Sequence, residues 1–332
     1  MATIYDVASR AGVSAATVSR VLTGRTDVST DLAARVRASV AELGYRPNGV
    51  ARNLRRQATM VWGLIISDIG NPFFTAMVRG IEDAAHDAGY SLVLCNSDDD
   101  LDKEQRYIEI AVAERMAGVI ISPSSEASTD LAVLVDRGIP VVAVDRRVGR
   151  LDVDTVLVDN VSGARLATEH LMDSGCGRIA CITGPTRTTT AAERLHGFRR
   201  AHEAAGLEVV DDLVILENFK EDGGYDGAQR LLANDHPPDG LFVANNLMTV
   251  GALEALVDAG VEIPRDMLLV GFDDIPWARL TRPRLTTVDQ PTYELGREAG
   301  RLLTGRIGNE PGLPRTIVLP PSLRIRASSL RN

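Results

Sequence analysis

From Val61 onward the chain alternates between short apolar runs and amphipathic stretches of helical period, and this alternation most restricts what it can fold into. The apolar runs predict strands at Val61–Ile66, Ser91–Cys95, Val119–Ser122, Val141–Val144, Arg178–Thr183, Leu241–Ala244 and Met267–Gly271. Helical stretches such as Phe73–Asp87, Ser162–Ser174, Ala191–Ala205 and Leu247–Asp258 lie between them. Strands that are apolar on both faces and joined through helices predict parallel sheets covered on both sides. The pattern runs to Asn160, then restarts and runs to Asp289, so the fold class is α/β with two doubly wound lobes. Ligands of such sheets bind beyond the carboxyl ends of the strands, and two facing lobes make a cleft. Polar and aromatic residues gather at those ends: Asp68, Asn71, Phe73 and Phe74 after the first run, Asp145, Arg146 and Arg147 after the fourth. Arg194, Phe219, Asn245, Asn246, Asp273 and Asp274 occupy matching places in the second half. Carboxylates, an arginine and amides grip vicinal hydroxyls, and aromatic rings stack on sugar faces, so the cleft is expected to take a sugar.

The first part of the chain differs in character. The net charge is −9, yet Met1–Gln57 holds nine Arg against four acids, a local +5 that leaves −14 for the rest. A basic end on an acidic body fits a polyanion partner for the N-terminus alone. Lysine occurs only at Lys103 and Lys220, but the arginine excess runs through the acidic body too and reads as coding bias. Thr3, with Asp6 three residues on, opens a helix on which Ile4, Val7, Ala8 and Ala11 share one face. Gly12 ends it, Ser14 caps a second helix burying Val18, Val21 and Leu22, and Ser29 or Thr30 starts a third that buries Leu32, Val36, Val40 and Leu43. Helix, short glycine turn, second helix and supporting third helix form a helix-turn-helix pattern, which generic three-helix bundles share. The outward face of the second helix is small or hydroxylic with one long donor: Ala15, Ala16, Thr17, Ser19 and Arg20. Such a face can sink into a major groove, with Arg available to guanine. A further basic stretch, Arg46–Arg56, carries Val50, Ala51 and Leu54 at helical spacing.

The run Thr-Ile-Tyr-Asp-Val-Ala-Ser-Arg-Ala-Gly-Val-Ser-Ala-Ala-Thr-Val-Ser-Arg-Val-Leu, with Leu-Gly-Tyr-Arg-Pro-Asn and Val-Ala-Arg-Asn-Leu after it, resembles the LacI/GalR family of bacterial transcription regulators. The resemblance covers essentially the whole chain. It implies base reading by Ala15, Ala16 and Arg20, and backbone contacts by Thr3, Ser14, Thr17, Ser19 and Tyr45. It assigns a hinge helix to Asn48, Gly49, Val50, Ala51, Arg52, Asn53, Leu54 and Arg55, with Leu54 wedged into the central base step from the minor groove. The physics is consistent, because an inserted apolar side chain unstacks and kinks a step, and so short a helix does not hold alone in water. Gly49 weakens that helix by about 1 kcal/mol relative to a good helix former. The family's effector cleft matches Phe73, Asp145, Arg194, Phe219, Asn245, Asp273 and Gln290, to which Phe74 and Asn246 are added here. Asn246 departs from the aspartate of many sugar-responsive members.

The expected organisation is a helix-turn-helix domain over 1–46, hinge and linker over 47–57, one lobe from 58–160 plus 290–319, and a second from 161–289 plus 320–332. The recrossing after Gln290, through a helix at Thr292–Leu303 and strands at Arg315–Leu319 and Leu323–Ala327, follows the family. The chain ends without the leucine-heptad tail of tetrameric members, so a homodimer on a palindromic operator is expected. Cys95, Cys176 and Cys181 make no disulfide or zinc pattern, and the five histidines have no metal spacing. No phosphate loop, nucleophile elbow or paired-acid motif is present, so neither enzyme, cofactor nor metal is expected. No apolar run reaches the roughly 20 residues of a membrane span, nor does the N-terminus read as a signal peptide, which points to the cytosol. The alternative, a transport sugar-binding protein without a DNA-binding role, lacks an export signal and leaves the N-terminal motif unexplained.

Overall fold

The computed structural model describes residues 2–22, 28–45, 58–149 and 151–331, in two compact units, Met1–Ala58 and Thr59–Asn332. The hinge assigned to Asn48–Arg55, including Leu54, lies outside the described residues.

In the first unit three helices, α1 (Ile4–Ala11), α2 (Ala15–Leu22) and α3 (Thr30–Glu42), enclose Val7, Ala8, Ala11, Val18, Val21 and Val36. The sequence sets the entry to α1: the Thr3 hydroxyl accepts the Asp6 amide at 3.3 Å while the Asp6 carboxylate accepts the Thr3 amide at 2.8 Å. Gly12 turns the chain with φ +64°, where a side chain would be strained and would press on the Arg35 guanidinium. Arg10 and Glu42, 2.5 Å apart, tie α1 to α3.

The second unit holds twelve strands among the described residues: β1 (Val61–Ile66), β2 (Ser91–Asn96), β3 (Gly118–Ile121), β4 (Val141–Val144), β5 (Asp154–Val158), β6 (Ile179–Thr183), β7 (Val214–Leu216), β8 (Gly240–Val243), β9 (Leu268–Phe272), β10 (Thr286–Asp289), β11 (Thr316–Leu319) and β12 (Ser322–Arg324). They form two six-stranded sheets, ordered β11-β5-β4-β3-β1-β2 in what we call the N lobe and β12-β10-β9-β8-β6-β7 in the C lobe. Every pairing is parallel except β10 with β12. The chain leaves the N lobe after β5 and returns through the helix Thr292–Ile307, whose buried face, Leu295, Ala299, Leu302 and Leu303, joins the N-lobe core. The last strand is shorter than the sequence suggests, ending at Arg324, and Ala327–Ser329 forms a 3-10 turn.

One helix pair has a bearing on the site. Helix Glu221–Leu232 holds Gly223, Gly224 and Gly227, which argue against a helix by propensity alone. It forms because it lies backbone to backbone against helix Asn246–Asp258: a Cβ on Gly224 would overlap the Met248 carbonyl, and one on Gly251 the Glu221 carbonyl. The two helices are therefore packed backbone to backbone. Gly251→Ala, which in an open helix would stabilise, is expected to destabilise Thr59–Asn332 by about 1–3 kcal/mol, read as a lowered melting temperature.

Candidate functional site

The cleft between the lobes is bounded by strand ends that repeat one local design. Asp145 directly follows β4 and Asp273 directly follows β9, and both take a left-handed backbone, φ +68° and +77°. Each amide is held by the neighbouring strand, Asp145 N to Val156 O and Asp273 N to Val288 O, both at 2.9 Å. Aspartate tolerates this conformation better than most side chains, at a cost of order 1–3 kcal/mol that surrounding structure must offset. The turn aims a carboxylate from each lobe into the cleft.

Arg194, on helix Thr189–Ala204, comes from the C lobe between them. Its Nε donates to Asn160 Oδ1 at 2.8 Å, its Nη1 to Ala244 O at 2.6 Å, and its guanidinium carbon lies 3.8 Å over the Phe272 ring. These contacts fix the plane and leave Nη2 for the cleft. Arg146 donates to Asp99 Oδ1 at 2.5 Å and Pro123 O at 3.1 Å, and its Nε is 3.7 Å from Asp145 Oδ2. Asp145, Arg146, Arg194 and Asp273 are each at most 7% exposed. Burial pushes the Asp145 carboxyl up to about 6, against the pull of Arg146 and Arg194. Burial also raises Asp273, against Arg194 and its hydrogen bonds to Gln290 and the Asn246 amide. Burial lowers the Arg194 pKa, opposed by the two carboxylates.

The aromatic walls are Phe73 and Phe74, edge to face with centroids 5.2 Å apart, and Phe219 from the opposite lobe. Gly184, at the end of β6, leaves the space the Phe219 ring occupies; a Cβ there would collide with the ring. Asn245 also serves Phe219, donating from Nδ2 to its carbonyl at 3.1 Å while Oδ1 caps the following helix at Met248 N, 2.8 Å. Gln290 donates from Nε2 to Asp273, but its Oε1 is buried without a partner, as is Arg146 Nε. The cavity has a volume of about 160 Å³, and a second cavity of about 470 Å³ adjoins it at Phe73, Asp273 and Gln290.

Eight of the nine residues assigned from sequence line this cavity: Phe73, Phe74, Asp145, Arg194, Phe219, Asn245, Asp273 and Gln290. Asn246 is not among the lining residues; its side chain turns to the other lobe, Nδ2 donating to Asn71 Oδ1 at 2.7 Å. Sequence reasoning missed Asp99, Ser124, Thr188, Thr190, Asn218 and Lys220, which also line it. Asp274, noted at a strand end, instead pairs with Arg326 at 2.7 Å.

In the N-terminal unit, Ala16 and Arg20 are exposed at helical spacing on α2, with Ala15 and Ser19 partly covered beside them. Ser14 Oγ accepts the Thr17 amide at 3.2 Å, Thr3 is exposed, and Tyr45 packs partly on the three-helix core.

Residues 3–48 match the model of bacterial regulatory proteins of the lacI family, and residues 168–329 that of a periplasmic binding protein-like domain. The ribose operon repressor of Halalkalibacterium halodurans (strain ATCC BAA-125 / DSM 18197 / FERM 7344 / JCM 9153 / C-125) is 38% identical over 329 residues, 99% of this chain and 97% of that protein. That of Escherichia coli (strain K12) is 37% identical over 331 residues, 99% and 100% of the two chains. The chain belongs to the lacI family. It is a DNA-binding transcriptional repressor, not an enzyme. Among solved structures, the lac repressor dimer bound to operator and the anti-inducer ONPF is similar with a TM-score of 0.88 at 26% identity, covering 99% of both chains. A complex of the transcriptional regulator CelR with cellobiose is similar with a TM-score of 0.76 at 34% identity, covering 99% of this chain and 100% of that one. Like those relatives, the repressor joins an operator-binding unit to a unit that takes an effector. Among the described residues no helix is long and apolar enough to cross a membrane.

The raised Asp145 pKa has a stability consequence. A carboxyl whose folded pKa lies above its unfolded value favours the fold while protonated, and that contribution is lost as pH rises from the ordinary carboxylate range through about 6. Asp145→Asn is therefore expected to raise the stability of the ligand-free protein at pH near 8 by about 1–3 kcal/mol, with the gain vanishing below pH ~4. Thermal melts of both proteins across that range check it.

Proposed function

We propose that this repressor senses an unmodified pentose, D-ribose being the first candidate, in the cleft between its lobes, and that the sugar alters its grip on operator DNA. The observation that carries the reading is the buried set Asp145, Arg194 and Asp273, two carboxylates and a fixed guanidinium from opposite lobes, facing Phe73, Phe74 and Phe219 around about 160 Å³. Fixed donors and acceptors suit vicinal hydroxyls, and the rings suit the C–H faces of a sugar. The ribose operon repressors among the relatives support the choice of pentose. Asp145 and Asp273 accept from hydroxyls, Arg194 Nη2 and Arg146 Nε donate, and Gln290 Oε1 accepts.

The N-terminal unit reads a palindromic operator through Ala15, Ala16 and Arg20, with Thr3, Ser14, Thr17, Ser19 and Tyr45 toward the backbone and Leu54 as a minor-groove wedge. Residues 1–46 form the reading domain, 47–57 the hinge, and the two lobes take 58–160 with 290–319 and 161–289 with 320–332. The protein acts as a homodimer in the cytoplasm, controlling carbohydrate genes. The operator-bound lac repressor dimer supports this assembly.

Three outcomes are expected. D-Ribose raises the melting temperature, and Asp273→Ala abolishes that shift; a shift that survives the substitution would place the site elsewhere. Ribose affinity falls on acidification through about pH 6, because the ionised Asp145 is a stronger hydroxyl acceptor than the protonated acid; titration calorimetry between pH 5 and 8 decides it. Leu54→Ala weakens operator binding in a gel-shift titration without lowering the melting temperature, since only the wedge is lost.

A further inference from the structure

The loop leaving β1, residues 67–71, is held from the C lobe at two points. At the rim Lys220 Nζ is ion-paired with Asp68 Oδ2, the side chains 46% and 17% exposed. Deeper, the buried Asn246 donates from Nδ2 to Asn71 Oδ1 at 2.7 Å, and that same oxygen caps Phe73 N at 2.9 Å. Asn246 Oδ1 has no partner and Asn246 does not line the cavity, so its side chain serves the contact between lobes. The two residues stand at the start of the two helices that Gly224 and Gly251 lock together: Lys220 caps Glu221–Leu232, and Asn246 begins Asn246–Asp258. Both grips are thus mounted on one closely packed helix pair.

We propose that Lys220 and Asn246 are positioning residues, a two-point clamp on Asp68 and Asn71 that holds the lobes closed over the effector and sets how long it stays. The retention part rests on the pentose reading; the clamp itself does not. Asp68, Asn71 and Lys220 also line the cavity, so exchange of the loop amides in ligand-free protein, where no sugar contact exists, is the readout that isolates closure. An amide at 246 is needed because a carboxylate would bring a buried negative charge against Asn71 Oδ1 and near Asp273, whose Oδ2 already accepts the Asn246 amide at 3.3 Å.

The clamp leaves a signature that a structural role would not. An uncharged sugar has no charge for salt to screen, and the cleft's buried charges are shielded from bulk ions. Among the described residues, the solvent-reached pairs joining the lobes are Lys220–Asp68 and the longer Arg147–Glu193, at 3.6 Å. Raising ionic strength from about 0.01 to about 1 M shortens the screening length from roughly 30 to 3 Å and is expected to speed ribose release.

The test compares wild type, Lys220→Met, the charge swap Asp68→Lys with Lys220→Asp, and Asn246→Asp in the full chain. Stopped-flow measures D-ribose release, and hydrogen exchange follows the amides of residues 67–71 without ligand. Lys220→Met is expected to release ribose about two- to fivefold faster and to lose most of the salt dependence, with the swap restoring both. Asn246→Asp is expected to act on the order of tenfold. Both single variants should exchange the loop amides faster in ligand-free protein. A Lys220→Met protein with wild-type release, salt dependence and exchange would overturn the clamp. Wild type that does not bind D-ribose would instead sink the pentose reading, and the ligand-free exchange would still decide the clamp.

Discussion

The constraint on which the effector unit depends is the burial of opposite charges contributed by different lobes. Asp145 belongs to the N lobe and Arg194 and Asp273 to the C lobe, and each is at most 7% exposed when the lobes face each other. Burial limits their solvation, and the interactions among them offset only part of the loss, which is why both carboxyl pKa values lie above the ordinary range. A closed cleft without ligand is therefore held below its full stability. A ligand whose hydroxyls bond to these groups supplies what closure removes. A ligand that binds one lobe arrangement better than another shifts the lobes toward it.

The rest of the architecture serves that placement. Parallel sheets put all their strand carboxyl ends on one side, and the left-handed backbone at Asp145 and Asp273 turns a carboxylate inward from each. Asn160, where the chain passes from β5 into the C lobe, holds Arg194 Nε, so the crossing point and the cavity-lining arginine are mechanically joined. The helix returning to the N lobe packs its Gly296 and Gly300 onto Met77 and Ala84 of helix Pro72–Asp87, whose first turn carries Phe73 and Phe74. Displacing a lobe displaces the rings.

Much of this was legible in the sequence because parallel strands buried on both faces are continuous apolar runs, and a polar residue directly after such a run must sit at a strand end. That rule found Asp145, Asp273 and Asn245. It failed where burial did not require apolar residues. β10 reads Thr-Thr-Val-Asp, yet both threonines are fully buried, Thr286 bonding to Arg326 O and Ser329 and Thr287 to Asp274. Helix Glu221–Leu232 was hidden by glycines that a neighbouring backbone demands. Asn246 was expected to touch the effector, but its partner Asn71 lies 175 residues earlier, and local spacing carries no trace of that contact. The outward face of α2, with Ala16 and Arg20 exposed, was legible because it depends only on local helical spacing.

The most direct test of the account is linkage between the two units. Operator affinity is measured by fluorescence anisotropy on an operator selected in vitro, with and without saturating D-ribose, and ribose affinity with and without operator. Coupling of a size usual for such proteins shifts operator affinity by roughly 5- to 150-fold, and reciprocity requires the operator to shift ribose affinity by the same factor. Ribose that binds the cleft while leaving operator affinity unchanged would contradict the account.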